Sequence, residues 1–329
     1  MNKNAYTQVN IQKNEKTFKK CLHFIHGGCI LRFSDLETAS KMDAVEREIS
    51  IMNAMKKILT AALAAVLCLS ITACGGDNSA DSPYGTKTAG VLTVATSPDY
   101  APYEFYAIDA EGNPKLAGFD IELAKYIADY LGLELELIPM DFDGVLLELA
   151  NGSVDLGVAG LSPDPDRMLV MDFSDVYYEG GQSFITVKDK AEMFSSLEDA
   201  NNPAISVGAQ NGAIQMDLAQ LYSADTEIVA LTKATDIIAE LVSGKLDGAY
   251  VETAVAESYM ENYPELHIVC EVPYDVEGNA VGVVKGNAEL LAGVNEAIAA
   301  CIEDGSFNKF VTEALELASG EIHEGLIEE

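Results

Sequence analysis

Apolar residues recur in two alternating rhythms from about residue 91 to near the end of the chain. Val91–Ala95 and Leu133–Ile138 are short apolar or alternating runs typical of strands, whereas Phe119–Leu131 has helical spacing. The same strand-then-helix order returns between Ala204 and Leu317. This order predicts an α/β fold, with mostly parallel sheets and helices on their faces.

The two blocks of the chain also share a short internal echo. Residues 148–155 and residues 240–247 both read as a helix end, a glycine turn and an aspartate that precedes a strand. The echo places Gly160 and Glu252 at equivalent strand ends, one in each block. Because ligands of open α/β sheets sit outside the carboxyl ends of strands, we expect a cleft lined by these two ends.

Charge separates the front of the chain from the rest. The formal net charge is -33, yet residues 1–73 carry ten Lys+Arg against six Asp+Glu, and residues 74–329 carry ten against 47. So acidic a body argues against nucleic acid or an anionic membrane surface as a partner.

The boundary between these regions has the form of a secretory leader. Met55-Lys56-Lys57 precedes Ile58–Ala73, an apolar run of 16 residues that is shorter than the roughly 20 needed to span a bilayer. Small residues before Cys74 resemble the lipobox of bacterial lipoproteins. We therefore predict a signal peptide over residues 55–73 and lipid attachment at Cys74. The alternative is an apolar anchor that is never cleaved.

Residues 1–54 do not fit this leader, because a signal peptide begins with its basic segment and that segment starts here only at residue 55. They hold four potential metal ligands at spacings that match no standard zinc pattern, namely Cys21, His23, His26 and Cys29. We interpret residues 1–54 as a misassigned extension and predict neither metal nor cofactor.

Residues 74–88 are rich in small and polar residues and are predicted to be a flexible tether. Whether Cys270 and Cys301 pair is left open.

Arg167 is the only arginine after Cys74, and it lies in a loop that follows an apolar strand. A lone guanidinium suits a bound carboxylate, held by a two-pronged charge-assisted hydrogen bond. The alternative is a surface ion pair with Asp164 or Asp166.

From residue 91 to residue 315 the chain resembles the family 3 extracellular solute-binding proteins, which are the polar amino-acid-binding components of ABC importers. The closest pattern is that of the glutamine- and histidine-binding proteins. The matching stretches are Ala95–Phe105, Ala117–Ala124, Pro139–Gly144, Ala159–Ser162 with Arg167, and Met171–Tyr178.

The resemblance implies a two-lobed periplasmic-binding-protein-like fold with a two-crossing hinge. Lobe 1 would comprise residues 89–181 and 280–329, and lobe 2 residues 182–279. Gly180-Gly181 suits a hinge, because glycine absorbs large backbone changes. The protein would lie outside the cytoplasm, anchored by lipid to the cell membrane, and would hand an amino acid to the membrane subunits of an importer.

The resemblance also implies ligand contacts. Ser162 and the amide of Gly160 would bind the ligand's α-carboxylate beside Arg167, and Glu252 would take its α-ammonium. The remaining contacts would come from Ser97, Tyr100, Phe142, Gln210, Ala213 and Ile214.

Several of these residues have a simpler reading that the sequence leaves open. Tyr100 and Phe142 suit ordinary core aromatics, Glu252 suits a cap for the following helix, and Ser162 suits a loop cap. Ser97 stands where basic-residue and glutamine binders of the family often carry an acid, so the sequence favours a neutral amino acid over a cationic one.

Two other classes of protein remain as rivals. Some proteins of this fold resemble dehydratases that act on carboxylated rings, and such an enzyme needs a general acid, for which Glu252 is the obvious candidate. A sensor ectodomain is the second rival. We predict a binding protein without catalytic residues.

Overall fold

The computed structural model describes residues 83–275 and 278–319. The predicted extension, leader and Cys74, with most of the tether, lie outside these residues. No helix in the described part of the chain is long and apolar enough to cross a membrane. The described strands form two five-stranded sheets and one hairpin.

The first sheet has the strand order β4-β1-β5-β12-β6. Both neighbours of β1 run parallel to it, and both neighbours of β12 run antiparallel to it. Its strands are β1 (Val91–Thr96), β4 (Glu134–Pro139), β5 (Leu156–Gly157), β6 (Met171–Tyr178) and β12 (Asn279–Val284). The hairpin that follows β1 comprises β2 (Phe105–Ile108) and β3 (Pro114–Ala117).

The second sheet has the order β11-β7-β10-β8-β9. Strand β8 pairs parallel with β9 and β10, whereas β7 pairs antiparallel with β10 and β11. Its strands are β7 (Gln182–Val187), β8 (Ser206–Gln210), β9 (Glu227–Leu231), β10 (Gly248–Glu252) and β11 (Leu266–Val272). The chain therefore passes between the sheets twice, after Tyr178 and after Val272.

Helices alternate with the strands in both lobes. Lobe 1 carries α1 (Phe119–Leu131), α2 (Phe142–Ala150), α6 (Ala288–Glu303) and α7 (Ser306–Ala318), and lobe 2 carries α3 (Ile214–Tyr222), α4 (Ala234–Val242) and α5 (Thr253–Asn262). The predicted α/β class is confirmed. Strand β5 has only two residues, because the chain leaves the sheet after Gly157 to form the Gly160 loop.

The internal echo has a structural basis. Asp155 accepts hydrogen bonds from the Thr93 amide at 2.9 Å and the Thr93 hydroxyl at 2.6 Å, which fixes the turn before β5 to β1. Asp247 accepts the amide of Ser206 at 2.9 Å, which fixes the turn before β10 to β8. The two aspartates of the repeated pattern therefore have the same role, each connecting two neighbouring strands of its own lobe.

The cysteines lie in different lobes. Cys270 is on β11 and Cys301 is on α6, and both are free thiols.

Gly180 occupies the first crossing for a reason that the sequence did not reveal. A Cβ atom at this position would collide with the carboxylate of Glu252 and lie 3.1 Å from the side-chain oxygen of Asn279. The backbone of the crossing thus packs directly against Glu252, and glycine is needed for this close approach.

Candidate functional site

A small, nearly closed cavity lies between the two lobes. It is lined by Tyr100, Phe142, Gly160, Ser162, Arg167, Gln210, Ala213, Ile214 and Gln215. Eight of the ten residues expected at the site are in this set. The other two are buried: Glu252 accepts a hydrogen bond from the lining residue Tyr100, and Ser97 is linked to the lining residue Gln210 through Asp99.

Arg167 begins a short 3-10 helix on the lobe 1 side of the cavity. One guanidinium nitrogen donates to the carbonyl of Ser162 at 3.0 Å, and the other donates to the carbonyl of Gly212 in lobe 2, also at 3.0 Å. The guanidinium also lies 5.6 Å from the centre of the Phe142 ring. Arg167 thus holds two carbonyl oxygens, one from each lobe, with donors that match a carboxylate.

The alternative reading of Arg167 as a surface ion pair is wrong. The carboxylate of Asp164 accepts the backbone amides of Asp166 and Arg167 and so shapes the loop. Within the described residues, neither Asp164 nor Asp166 forms a salt bridge with the guanidinium.

The expected role of the Gly160 amide needs correction. This amide donates to the carboxylate of Asp120 at 2.8 Å, so it is already engaged on the side away from the cavity. The carbonyl of Gly160 accepts from Asn279 at 2.9 Å. Gly160 has φ 56° and packs against the ring of Tyr100, so it shapes the cavity wall instead of donating to a ligand. Ser162 is buried and keeps its place in the lining.

Glu252 lies at the carboxyl end of β10 and is 1% exposed. Its carboxylate accepts from the hydroxyl of Tyr103, and from that of Tyr100 at 3.3 Å, both in lobe 1. The side chain makes no capping hydrogen bond to α5, so the helix-cap reading is wrong. Burial raises the pKa of Glu252 to about 7 against the lowering effect of the hydrogen bonds from Tyr103, Asn279 and Tyr100.

Ser97 belongs to a buried polar cluster whose centre is Asp99. The Ser97 hydroxyl donates to one oxygen of Asp99 at 2.7 Å. The other oxygen accepts from the Gln210 side chain at 3.2 Å and from the Ala234 amide at 2.6 Å, both in lobe 2. Burial raises the pKa of Asp99. The sequence argument that this end of the site lacks a carboxylate therefore fails.

Asp141 was the other acid near this end in the sequence. It lies before α2, and its side chain is 49% exposed, with the ammonium of Lys233 4.0 Å away. Asp141 is thus a surface residue that pairs with a lysine of lobe 2, whereas Asp99 is buried against that lobe.

Gln215 was not expected at the site. Its side-chain amide donates to Gln182 at 2.7 Å, next to the hinge, and to the Tyr100 hydroxyl at 3.1 Å in the opposite lobe. The residue follows Ile214 in the first turn of α3, so the loop already singled out was the available signal.

The remaining lining residues serve both the cavity and the cores. Tyr100 and Phe142 are 8% and 7% exposed and belong to different apolar clusters, and Ala213 packs in the cluster of Phe142. Ile214 packs in the lobe 2 core. Core packing and cavity lining are therefore compatible at these positions.

Comparison with known proteins identifies the class to which this site belongs. The chain belongs to the bacterial extracellular solute-binding proteins, family 3, whose model matches residues 92–315. This confirms the predicted class, an extracytoplasmic amino-acid-binding protein that serves an ABC importer.

Three similar proteins illustrate the range of relatives. The arginine-binding extracellular protein ArtP of Bacillus subtilis is 34% identical and covers 78% of this chain and 96% of its own. The AbpA substrate-binding protein of Streptococcus pneumoniae, solved with L-arginine, is 36% identical with a TM-score of 0.67 over 70% of this chain and 97% of its own. A cyclohexadienyl dehydratase of Pseudomonas aeruginosa is 27% identical, covering 57% of this chain and 69% of its own.

Replacing Arg167 by alanine should weaken amino-acid binding by about 2–5 kcal/mol, the cost of truncating one partner of a buried charge pair. Arg167→Lys should recover only part of this loss, because an ammonium lacks the two-pronged geometry. Calorimetry measures the affinities, and thermal unfolding shows that the fold survives. Unchanged affinity of the alanine variant would exclude Arg167 from the site.

Ligand affinity should rise with pH through about 7, because an α-ammonium binds the ionised form of Glu252 and competes with its proton. Well below that pH the gain should approach about tenfold per pH unit, the limit for displacement of one proton. Calorimetry between about pH 5.5 and about pH 8 tests this, within the range where an α-ammonium stays largely charged.

The variant Glu252→Gln isolates this effect from other titrating groups, such as Asp99 and Asp120. It should bind more weakly at the higher pH and lose most of the pH dependence. A parent protein whose affinity does not change with pH would contradict the assignment.

Proposed function

We propose that this protein is a lipid-anchored receptor for L-arginine or a closely related cationic amino acid, which it binds without chemical change. The observation that carries the choice of ligand is the buried carboxylate of Asp99 between the lobes. The argument proceeds from the two ends of the amino-acid backbone to its side chain.

The α-carboxylate is assigned to Arg167. In the described structure the guanidinium holds the carbonyls of Ser162 and Gly212, which are neutral acceptors. A carboxylate offers two charged acceptors in the planar geometry of the guanidinium, so it competes well for the same donors. The cavity wall beside Arg167 is formed by Ser162 and Phe142.

The α-ammonium is assigned to Glu252. This buried carboxylate has the hydroxyls of Tyr100 and Tyr103 as donors. No lysine or arginine of the described residues forms a salt bridge with it. An ammonium would supply the opposite charge that a buried carboxylate requires.

The side chain of the ligand is assigned to the cluster of Asp99, Ser97 and Gln210. Gln210 lines the cavity and connects it to the Asp99 carboxylate, which forms no salt bridge within the described part of the chain. A guanidinium that reaches this cluster would replace the amide of Gln210 as the donor to Asp99 and form the direct ion pair that the nearby Lys233, paired with Asp141, does not form. This reverses the preference for a neutral ligand that Ser97 alone favoured, and the arginine-binding relatives support the reversal.

One observation favours an enzyme as the second candidate. A carboxyl with a pKa of about 7 in a closed cleft is suited to proton donation, and one relative is a dehydratase. The two tyrosine hydroxyls of lobe 1 argue against this role, because they donate to the Glu252 carboxylate and so favour its use as an acceptor. Aromatic product from a cyclohexadiene substrate incubated with the protein would overturn the non-enzymatic proposal.

Attachment to the membrane is proposed from the sequence alone. Ile71-Thr72-Ala73 precedes Cys74 after a basic and then an apolar run. Intact-mass spectrometry of the protein from its native membrane should give a chain that starts at a lipidated Cys74. A mature chain that retains any of residues 1–54 would contradict both the leader and its cleavage.

L-Arginine should bind at least tenfold more tightly than glutamine, serine, alanine or methionine, which corresponds to about 1.4 kcal/mol. Asp99→Asn should weaken arginine by roughly 10–100-fold, as loss of a buried charge partner does, and should affect glutamine much less. Competition calorimetry on the mature protein measures both.

The matched control is Asp141→Asn, the same chemical change at an exposed position beside the same site. It should leave the order of ligands unchanged. A neutral amino acid as the tightest ligand, or equal losses in the two variants, would show that Asp99 does not select a cation.

A further inference from the structure

Two acidic residues lie close together behind the Gly160 loop, and each comes from one of the stretches that resemble the solute-binding family. Glu104 belongs to Ala95–Phe105 and Asp120 to Ala117–Ala124, and both side chains are fully buried. The backbone brings them together, because the amide of Asp120 donates to the carbonyl of Tyr103 at 2.9 Å. Neither acid lines the ligand cavity, and the proposed binding contacts use neither of them.

Asp120 holds the ligand-binding loop from behind. One of its oxygens accepts the amide of Gly160 at 2.8 Å, and the other accepts the hydroxyl of Tyr177 at 2.8 Å. Gly160 is followed by Leu161 and Ser162, whose carbonyl accepts from the Arg167 guanidinium. The position of the carboxylate-binding loop therefore depends on Asp120.

Glu104 has no ordinary partner. Neither of its buried oxygens accepts a hydrogen bond from any donor in the described part of the chain, and the carboxyl beside them is that of Asp120. Two carboxyl groups form a hydrogen bond only when one of them carries a proton, since an ionised carboxylate is solely an acceptor.

The surroundings of Glu104 favour a proton on Glu104 over one on Asp120. The groups that interact with it electrostatically are the carboxyls of Asp120, Asp99 and Glu252 and the hydroxyls of Tyr100 and Tyr177. Burial raises the pKa of Glu104 well above its usual range, and the neighbouring Asp120 raises it further. Asp120 keeps two other donors that stabilise its ionised form, from Gly160 and Tyr177.

We propose that Glu104 is a neutral carboxylic acid that donates its proton to Asp120, and that this acid pair positions the Gly160–Arg167 loop for ligand binding. Both members are positioning residues, because they act through the loop and do not touch the ligand. The pair shares one proton and titrates as a unit.

This arrangement fixes the sign of a pH effect on folding. In the unfolded chain a glutamate ionises near its usual pKa, about 4.3, whereas in the folded protein Glu104 keeps its proton to higher pH. The folded state then binds more protons than the unfolded state, so the contribution of Glu104 to stability is full at low pH and falls as pH rises. Removal of this ionisation should therefore stabilise the protein at alkaline pH.

Glu104→Gln tests the proposal because glutamine retains a donor of the same shape and cannot ionise. The variant should melt at a higher temperature than the parent at about pH 8, on the order of 2–4 °C or more, with a smaller difference at about pH 5. The matched control is Glu134→Gln, the same change at an exposed residue of β4, which should shift neither value.

Infrared spectroscopy supplies a direct signature. The difference spectrum between the parent and Glu104→Gln should contain the carbonyl band of one protonated carboxyl, and the contribution of Glu252 cancels because both proteins retain it. Glu104→Leu, which removes the donor, should lower the affinity for L-arginine by at least about tenfold. Glu104→Gln should stay within about twofold of the parent.

Absence of the protonated-carboxyl band from the difference spectrum would overturn the proposal, as would a stability difference that does not grow with pH. Equal losses of affinity in the glutamine and leucine variants would show that a donor at this position does not hold the loop, which would overturn the positioning role of Glu104. Only the affinity measurement rests on the proposed ligand. If L-arginine does not bind the parent, the ligand proposal fails while the spectroscopic and stability results still decide the state of Glu104.

Discussion

The rest of this structure depends on the burial of two carboxylates between the lobes, neither of which forms a salt bridge within the described residues. Asp99 and Glu252 approach the cleft from opposite lobes, and each accepts hydrogen bonds from the other lobe. Hydroxyls and amides can satisfy the oxygen atoms of these groups, but they leave the negative charge uncompensated. A small cation with a carboxylate of its own meets this requirement, because Arg167 lies on the same cavity. The charges of the site are thus complementary to those of an amino acid.

The hinge and the site are connected through one side chain. Glu252 packs against Gly180 in the first crossing, and its partner Tyr103 also donates to Asn279, the first residue of β12 after the second crossing. Gln215 joins Gln182, next to the first crossing, to Tyr100 in the cavity wall. A ligand bound at Glu252, as proposed above, would therefore contact a residue that is linked to both crossings, so that the same interactions would favour closure and binding.

The sequence predicted the features that repeat along the chain. The strand and helix rhythm gave the α/β class, and the echo around Asp155 and Asp247 reflects the same aspartate-to-strand tie in both lobes. Arg167 stood out because no other arginine follows Cys74. These signals are local or compositional, so they can be recognised in the sequence without knowledge of the fold.

What the sequence did not predict are contacts between distant segments. Asp99 lies two residues from Ser97, yet only the fold shows that its carboxylate meets Gln210 and Ala234 from the other lobe. The Gly160 amide was assigned to the ligand from the family resemblance, and the approach of Asp120, 40 residues earlier in the chain, has no signature in spacing that could have corrected it. The hairpin of β2 and β3 was also missed, since its two strands have only four residues each.

The account is tested most directly by a crystal structure of the mature protein grown with L-arginine near neutral pH. We expect the α-carboxylate on Arg167, with the guanidinium released from the Gly212 carbonyl. The α-ammonium should lie on Glu252, and the ligand's guanidinium should reach Asp99. A ligand bound in the reverse direction, or one whose ammonium does not contact Glu252, would contradict the account.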